Sequence, residues 1–222
     1  MNIGGFLGND SAFGRLMTKC GTIIALNVLF VISCVPFFTI GAAGTGMCYA
    51  VFEMLKLDTE GMKGDAINPF RVYWTGFRKN FIRATICWVA FVGIMMLGGI
   101  NLQVCAQWTG WLKNMSVGVI AVMILAVVIT VYMLPVLAMF SGKLTELIKL
   151  SVSVAISHPL KMILVLFLNV TPAVLLYLDE INRPTYVFIG AFFGFGLIAY
   201  IVGKILLSQF EPYLGMSKAE SI

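Results

Sequence analysis

Charge is missing from this sequence wherever its apolar residues are concentrated. No Asp, Glu, Lys or Arg stands between Lys19 and Glu53, or within 84–112, 114–142, 162–178 and 184–203. Each gap is near or above the roughly 20 residues that cross a bilayer's hydrocarbon core as helix. The absence excludes a soluble globular domain and marks a polytopic integral membrane protein. Histidine is nearly absent too: His158 stands alone, which excludes a His-based metal cluster. The five cysteines (Cys20, Cys34, Cys48, Cys87, Cys105) are odd in number and form no CxxC pair. In or beside apolar runs, such residues read as small hydrophobes, not as redox or metal sites.

Further absences narrow the function. No Asp or Glu lies near the middle of a run, where proton relays and ion-coupled carriers keep their ionisable groups. No inverted repeat of the carrier kind, K⁺-type filter sequence or Walker A motif is present. Neither a nucleophile–base pair nor a paired carboxylate appears, so the chain reads as a non-enzyme with no cofactor, no metal and no catalytic residues. An uncharged pore or a sodium site built from carbonyls stays open.

What is present is 222 residues, 60% hydrophobic and 11% charged; soluble domains run closer to half apolar and a quarter charged. That size holds a single membrane domain (1–222) and leaves no room for a globular ATPase, kinase or hydrolase. The net charge of +5 sits in short segments beside the spans. It therefore records membrane topology and does not point to nucleic acid.

The pattern predicts an all-α protein with about six transmembrane helices, near 12–35, 40–57, 82–105, 115–141, 160–178 and 185–207. Asn9-Asp10-Ser11 offers N-cap oxygens to the first, and Pro36 stops it. Arg15 and Lys19 ahead of an apolar run resemble a signal peptide, but the segment carries Asp10 and more spans follow, so it reads as retained. The first pair is tight, since only 33 uncharged residues cover it. Lys19 must snorkel and Glu53 sit near the interface, or else one span is followed by a re-entrant or interfacial segment. With six spans, 13 of the 15 Lys and Arg residues share a side, leaving Lys113 and Arg183 opposite; five spans reduce that to 11. The positive-inside rule prefers six, in the cell membrane, with both termini and the 53–83 and 143–161 loops cytoplasmic. Trp108 and Trp111 fit the opposite headgroup level.

Two amphipathic segments lie on the basic side, near 69–81 and 143–157. Asn68-Pro69 reads as N-cap and N1 of the first. Phe70, Tyr73, Trp74, Phe77 and Phe81 recur at helical spacing, with Arg71, Thr75, Arg78 and Lys79 on the other side. Such a helix should lie along the inner membrane surface, among membrane lipids; alternatively Phe70, Tyr73, Trp74, Phe77, Arg78 and Lys79 dock a partner. In the second segment Lys143, Glu146, Lys149, Ser153 and Ser157 follow one face, and Leu144, Leu147, Ile148, Val152 and Ala155 the other. His158 ahead of Pro159 is a cap or interface residue, or else a pH sensor.

Ala42, Gly46 and Ala50 share a face, and Gly190 with Gly194 makes a GxxxG. Small residues let helices approach closely in lipid, here within the bundle or between subunits of a homo-oligomer. Asn27, Asn101, Gln103, Thr130, Tyr132, Asn169 and Thr171, with Pro135 and Pro172, either bond across helices or line a cavity.

The stretches NDSAFGRLMTK, ALNVLFVISCVPFFTIGAAGTGMCYAVFEML, FRKNFIRATICW and LIKLSVSVAISHPLK resemble the YesL-like family of bacterial membrane proteins. The likeness covers most of the chain; the PFFTIGAAGTGMCYA block is its most specific part, and Met62 departs from an expected aromatic. It implies an association with oligosaccharide ABC importers and their two-component regulators, and carries over no catalytic residues. The expected function is thus a non-enzymatic accessory or assembly component of an oligosaccharide ABC importer. The rivals are a small transporter or channel acting alone, and a membrane regulator coupled to a sensor kinase.

Overall fold

The computed structural model describes residues 12–59, 67–107 and 114–219, and every element in them is a helix. In chain order these are α1 (Ala12–Ser33), a 3-10 turn (Phe37–Thr39), α2 (Ile40–Thr59), α3 (Pro69–Ala106), α4 (Met115–Met139), α5 (Leu144–Ser157), α6 (Pro159–Leu178), α7 (Arg183–Ile189), a π turn (Gly190–Gly194) and α8 (Phe195–Ala219). Six stretches are long and apolar enough to cross a membrane: α1, α2 with its preceding turn, α3, α4, α6, and α7 continued into α8. The Asn9–Ser11 cap, Met62, Trp108, Trp111 and Lys113 lie outside the described residues.

The sequence divides 69–81 from 82–105, and the structure joins them into one helix of 38 residues. At 1.5 Å per residue it is roughly 57 Å long, nearly twice the hydrocarbon thickness. The start is as expected: Pro69 occupies the first turn and the Asn68 side-chain oxygen accepts from the Arg71 N–H at 3.2 Å. Beyond it the composition turns from basic to apolar, but no proline interrupts the backbone ladder. The amphipathic segment therefore continues the span's axis and does not turn off it along the membrane plane.

The core sits around α2. Of its span 67% is buried, against 6–17% for the other five. Small residues make α2 narrow enough to be surrounded by α1, α3, α4 and α8. A Cβ on Gly46 would stand 3.1 Å from the Tyr73 carbonyl oxygen and 3.2 Å from Phe77 Cβ of α3. Gly76 of α3 returns the fit, lying 2.5 Å by the same measure from Tyr49 Cβ. Gly44 meets Leu134 of α4, and Gly203 of α8 meets Val51. Ala42 and Ala50 are fully buried beside them. The expected small-residue face is thus a real contact within the bundle.

Within the bundle, Gly190 and Gly194 do not make the close approach that their GxxxG spacing suggests. Nothing lies closer than 3.6 Å to a Cβ on Gly190, or 3.4 Å to one on Gly194, and the neighbours are Phe195 and Ile189 of the same helical run. The close approach falls on Gly196, whose Cβ would stand 2.8 Å from the Ile23 carbonyl oxygen of α1. A π turn carries one residue more than an α turn. At 3.6 residues per turn, that insertion turns the following face by roughly 100°.

Pro36 ends α1, and the Thr39 hydroxyl donates to the Ser33 and Pro36 carbonyl oxygens, closing the turn into α2. The Trp88 indole N–H donates to the Phe37 carbonyl oxygen at 3.0 Å, tying that turn to α3. At the far end of the α1–α2 pair, Lys19 meets Asp58 at 2.8 Å. Exposed pairs of this kind contribute at most about 1 kcal/mol, so the ion pair marks register more than it sets stability.

α5 starts with the Lys143 N–H donating to the Glu146 carboxylate at 3.3 Å. It buries Leu147, Ser151, Val154 and Ala155, and leaves Ile148 and Ile156 exposed. This face is rotated from the expected one, because Ser151 satisfies its hydroxyl on the Leu147 carbonyl at 2.8 Å and can enter the core.

Between α6 and α7 the Asp179 carboxylate accepts from the Asn182 N–H at 3.1 Å, the Asn182 side-chain amide at 2.9 Å and the Tyr186 hydroxyl at 2.9 Å. The bonds from Asn182, then that from Tyr186, hold the carboxyl below the ordinary Asp value of 3.8. A depressed value means the loop contacts contribute above the unfolded pKa and are lost as pH falls through the native one. Asp179 is expected to titrate below 3.8 by carbon-detected NMR, and Asn182→Ala to return it part of the way. An unshifted Asp179 would refute the loop geometry.

Candidate functional site

Among the described residues, no three His, Cys, Asp or Glu side chains come together as metal ligands, and Cys20, Cys34, Cys48, Cys87 and Cys105 are free thiols. His158 links α5 to α6 through its backbone, its carbonyl accepting from the Met162 N–H at 2.9 Å, while its side chain makes no cap bond.

The neutral polar residues fall into two groups. Asn101, Thr130, Asn169 and Thr171 each donate to the carbonyl four residues earlier in their own helix, at 2.6–2.9 Å. Those bonds stay within one helix and do not join helices. Gln103 is exposed on α3. Asn27 is different. It is fully buried, and its amide donates to the Gly190 and Ala191 carbonyl oxygens, at 3.1 Å to the first, while its side-chain oxygen accepts from the Gly196 N–H at 2.7 Å. These backbone groups belong to or adjoin the π turn, and within a bilayer they have no water to turn to. One α1 side chain therefore satisfies the break in the last span.

Sequence reasoning missed Asn80, Gln209, Thr45 and Ser151, all buried. Asn80 was reachable, for it continues the spacing Tyr73, Gly76, Phe77, Ala84 on the face α3 turns to α2. Gln209 of α8 lies beside the buried Tyr132 hydroxyl without closing a hydrogen bond.

The candidate docking residues separate into two sets. Tyr73 is fully buried and Phe77 is 9% exposed, both against α2, so they are core and not docking surface. Phe70 is 63% and Trp74 42% exposed, with Arg71, Arg78 and Lys79 also exposed. Trp74 stacks on Phe77 with ring centroids 5.0 Å apart and planes 6° apart, and the Arg78 guanidinium lies 5.3 Å above the indole. The buried Phe77 ring and the Arg78 guanidinium both pack on Trp74. The patch is aromatic and basic. Farther along, α3 and α4 leave an open apolar groove of about 820 Å³, lined among others by Leu97, Gly98, Asn101, Gly118 and Met123. No sequence pattern pointed to it.

No curated protein and no solved structure matches the chain. Residues 23–102 match the model of the family described as protein of unknown function, DUF624. The match takes in the second half of α1, all of the buried helix α2 and the aromatic–basic patch, as far as the last turns of α3.

Proposed function

We propose that this chain is a YesL-like member of the matched family and serves as a non-enzymatic accessory or assembly subunit of an oligosaccharide ABC importer in the cell membrane. The observation that carries the reading is the exposed patch Phe70, Trp74, Arg78 and Lys79 at the start of α3. Aromatic and Arg side chains dominate the energetics of many protein interfaces. A Trp already packed against Phe77 and Arg78 has less side-chain freedom to lose on docking. The charge distribution supports a cytoplasmic position for this patch and both termini.

The test is a double variant, Phe70→Ala with Trp74→Ala, which spares the buried Tyr73 and Phe77. Truncating two such anchors is expected to cost about 2–4 kcal/mol of association, more than a tenfold fall in co-purified importer subunit. Membrane level and melting temperature should not change. Undiminished co-purification would remove the patch from the interface. Saturable sugar or ion flux in proteoliposomes holding this chain alone would overturn the accessory role.

A further inference from the structure

We infer that α1 and α2 form a helical hairpin that enters and leaves the membrane on the same side, with Val35, Phe37 and Phe38 at its tip seated among the acyl chains. Three observations converge on this. The first is length. From Lys19 to Ser33, and from Ile40 to Glu53, each limb offers only about 20 Å of charge-free helix at 1.5 Å per residue. The hydrocarbon core is about 30 Å thick. Both limbs reach spanning length only by counting Lys19 on one and Glu53, Lys56 and Asp58 on the other.

The second is the tip. Val35 is 82%, Phe37 61% and Phe38 54% exposed, and no charged residue stands between Ser33 and Ile40. A connection delivered to water on the far side would be expected to resemble 179–183, which carries Asp179, Glu180 and Arg183. An exposed Val-Pro-Phe-Phe sequence instead matches acyl chains.

The third is depth. Phe37 bonds to Trp88, and a Cβ on Gly41 would fall on the Ala84 carbonyl, so the tip is level with 84–88 of α3. α3 continues another 18 residues to Ala106, flanked by α4 where Gly98 meets Met123. That is about 27 Å beyond the tip, and still about 20 Å were α3 tilted by 40°, the upper end for membrane helices. The surface reached by the α3–α4 connection therefore lies far beyond the hairpin. Charge counting cannot separate the two arrangements, because a hairpin and a pair of full spans return the chain to the same side. The inference does not use the importer reading but shares its frame. Gly46 beside Tyr73 and Gly76 beside Tyr49 run the α2 limb along the basic start of α3, so the tip reaches the acyl chains while the patch around Trp74 stays at the cytoplasmic headgroup level.

The experiment places nitroxide labels at Val35→Cys, Phe38→Cys and Gln107→Cys, singly, in a chain whose native cysteines are replaced by alanine, reconstituted in liposomes. Collision rates with oxygen and with a water-soluble nickel chelate report hydrocarbon and water respectively. Positions 35 and 38 are expected to favour oxygen several-fold, and position 107 to favour nickel. Nickel preference at 35 and 38 equal to that at 107 would overturn the hairpin. The native thiols give a second measurement should the replaced chain not fold. With Gln107→Cys added to the otherwise native chain, impermeant maleimide applied outside cells should label position 107 and leave Cys34 at least tenfold less labelled. Equal labelling of Cys34 would show a tip in external water.

Discussion

Replacing Asn27 by leucine is expected to destabilise the folded protein by about 2–4 kcal/mol. The substitution keeps the branched outline of the side chain and removes three hydrogen bonds, two to the Gly190 and Ala191 carbonyls and one from the Gly196 N–H, inside the bundle. A buried polar group left without a partner costs about 1–3 kcal/mol. The sum is smaller than three such penalties, since the π turn can rewind towards α geometry and recover part of the loss. Single interhelical hydrogen bonds in membranes are worth less, averaging about 0.6 kcal/mol, so a larger effect would be the signature of one side chain serving three backbone groups. Asn169→Leu is the control: its amide bonds only the Val165 carbonyl of its own helix, and a change within about 0.5 kcal/mol is expected. Melting in detergent reads both variants, and equal effects would refute the role assigned to Asn27.

Gly76→Ala should cost about 3 kcal/mol, the upper end for overpacking. Its new methyl group would stand 2.5 Å from Tyr49 Cβ. A Cβ cannot swing away as the end of a long side chain can, so α2 and α3 would have to separate. Gly41→Ala meets the same obstacle in the Ala84 carbonyl and in Trp88 Cβ at 2.7 Å. Gly190→Ala meets nothing inside ordinary van der Waals distance, and alanine's helix propensity favours it by up to about 1 kcal/mol. The ranking of the three melting temperatures is the measurement. A silent Gly76→Ala would mean that α2 and α3 are not in backbone contact.

The charge-free runs announced a membrane protein because insertion responds to composition, which is local and readable. The start of α3 was readable for the same reason, since Asn68-Pro69 acts within one turn. Its continuation through residue 82 was not, for the change from basic to apolar residues looks like a boundary yet breaks no backbone hydrogen bond. The aromatic face was half readable. Helical spacing grouped Phe70, Tyr73, Trp74 and Phe77, but only the neighbouring α2, with Gly46 to receive them, decides that Tyr73 and Phe77 go inward. The exposed remainder is the part available to a partner.

By itself, then, the sequence determined the solvent this chain lives in, the number of apolar helices and the residue types that could touch. It flagged Asn27 as a polar group in a span and Gly46 as a site of close approach. Tertiary structure decided what each one meets. Asn27 finds carbonyls more than 160 residues away, in the π turn that the fold brings to its height. Gly190 and Gly194 stay out of close contact while Gly196 enters it, because that same turn rotates the face that follows. Partners so distant along the chain are set by how helices cross and how deep they sit, and no local run of residues encodes either.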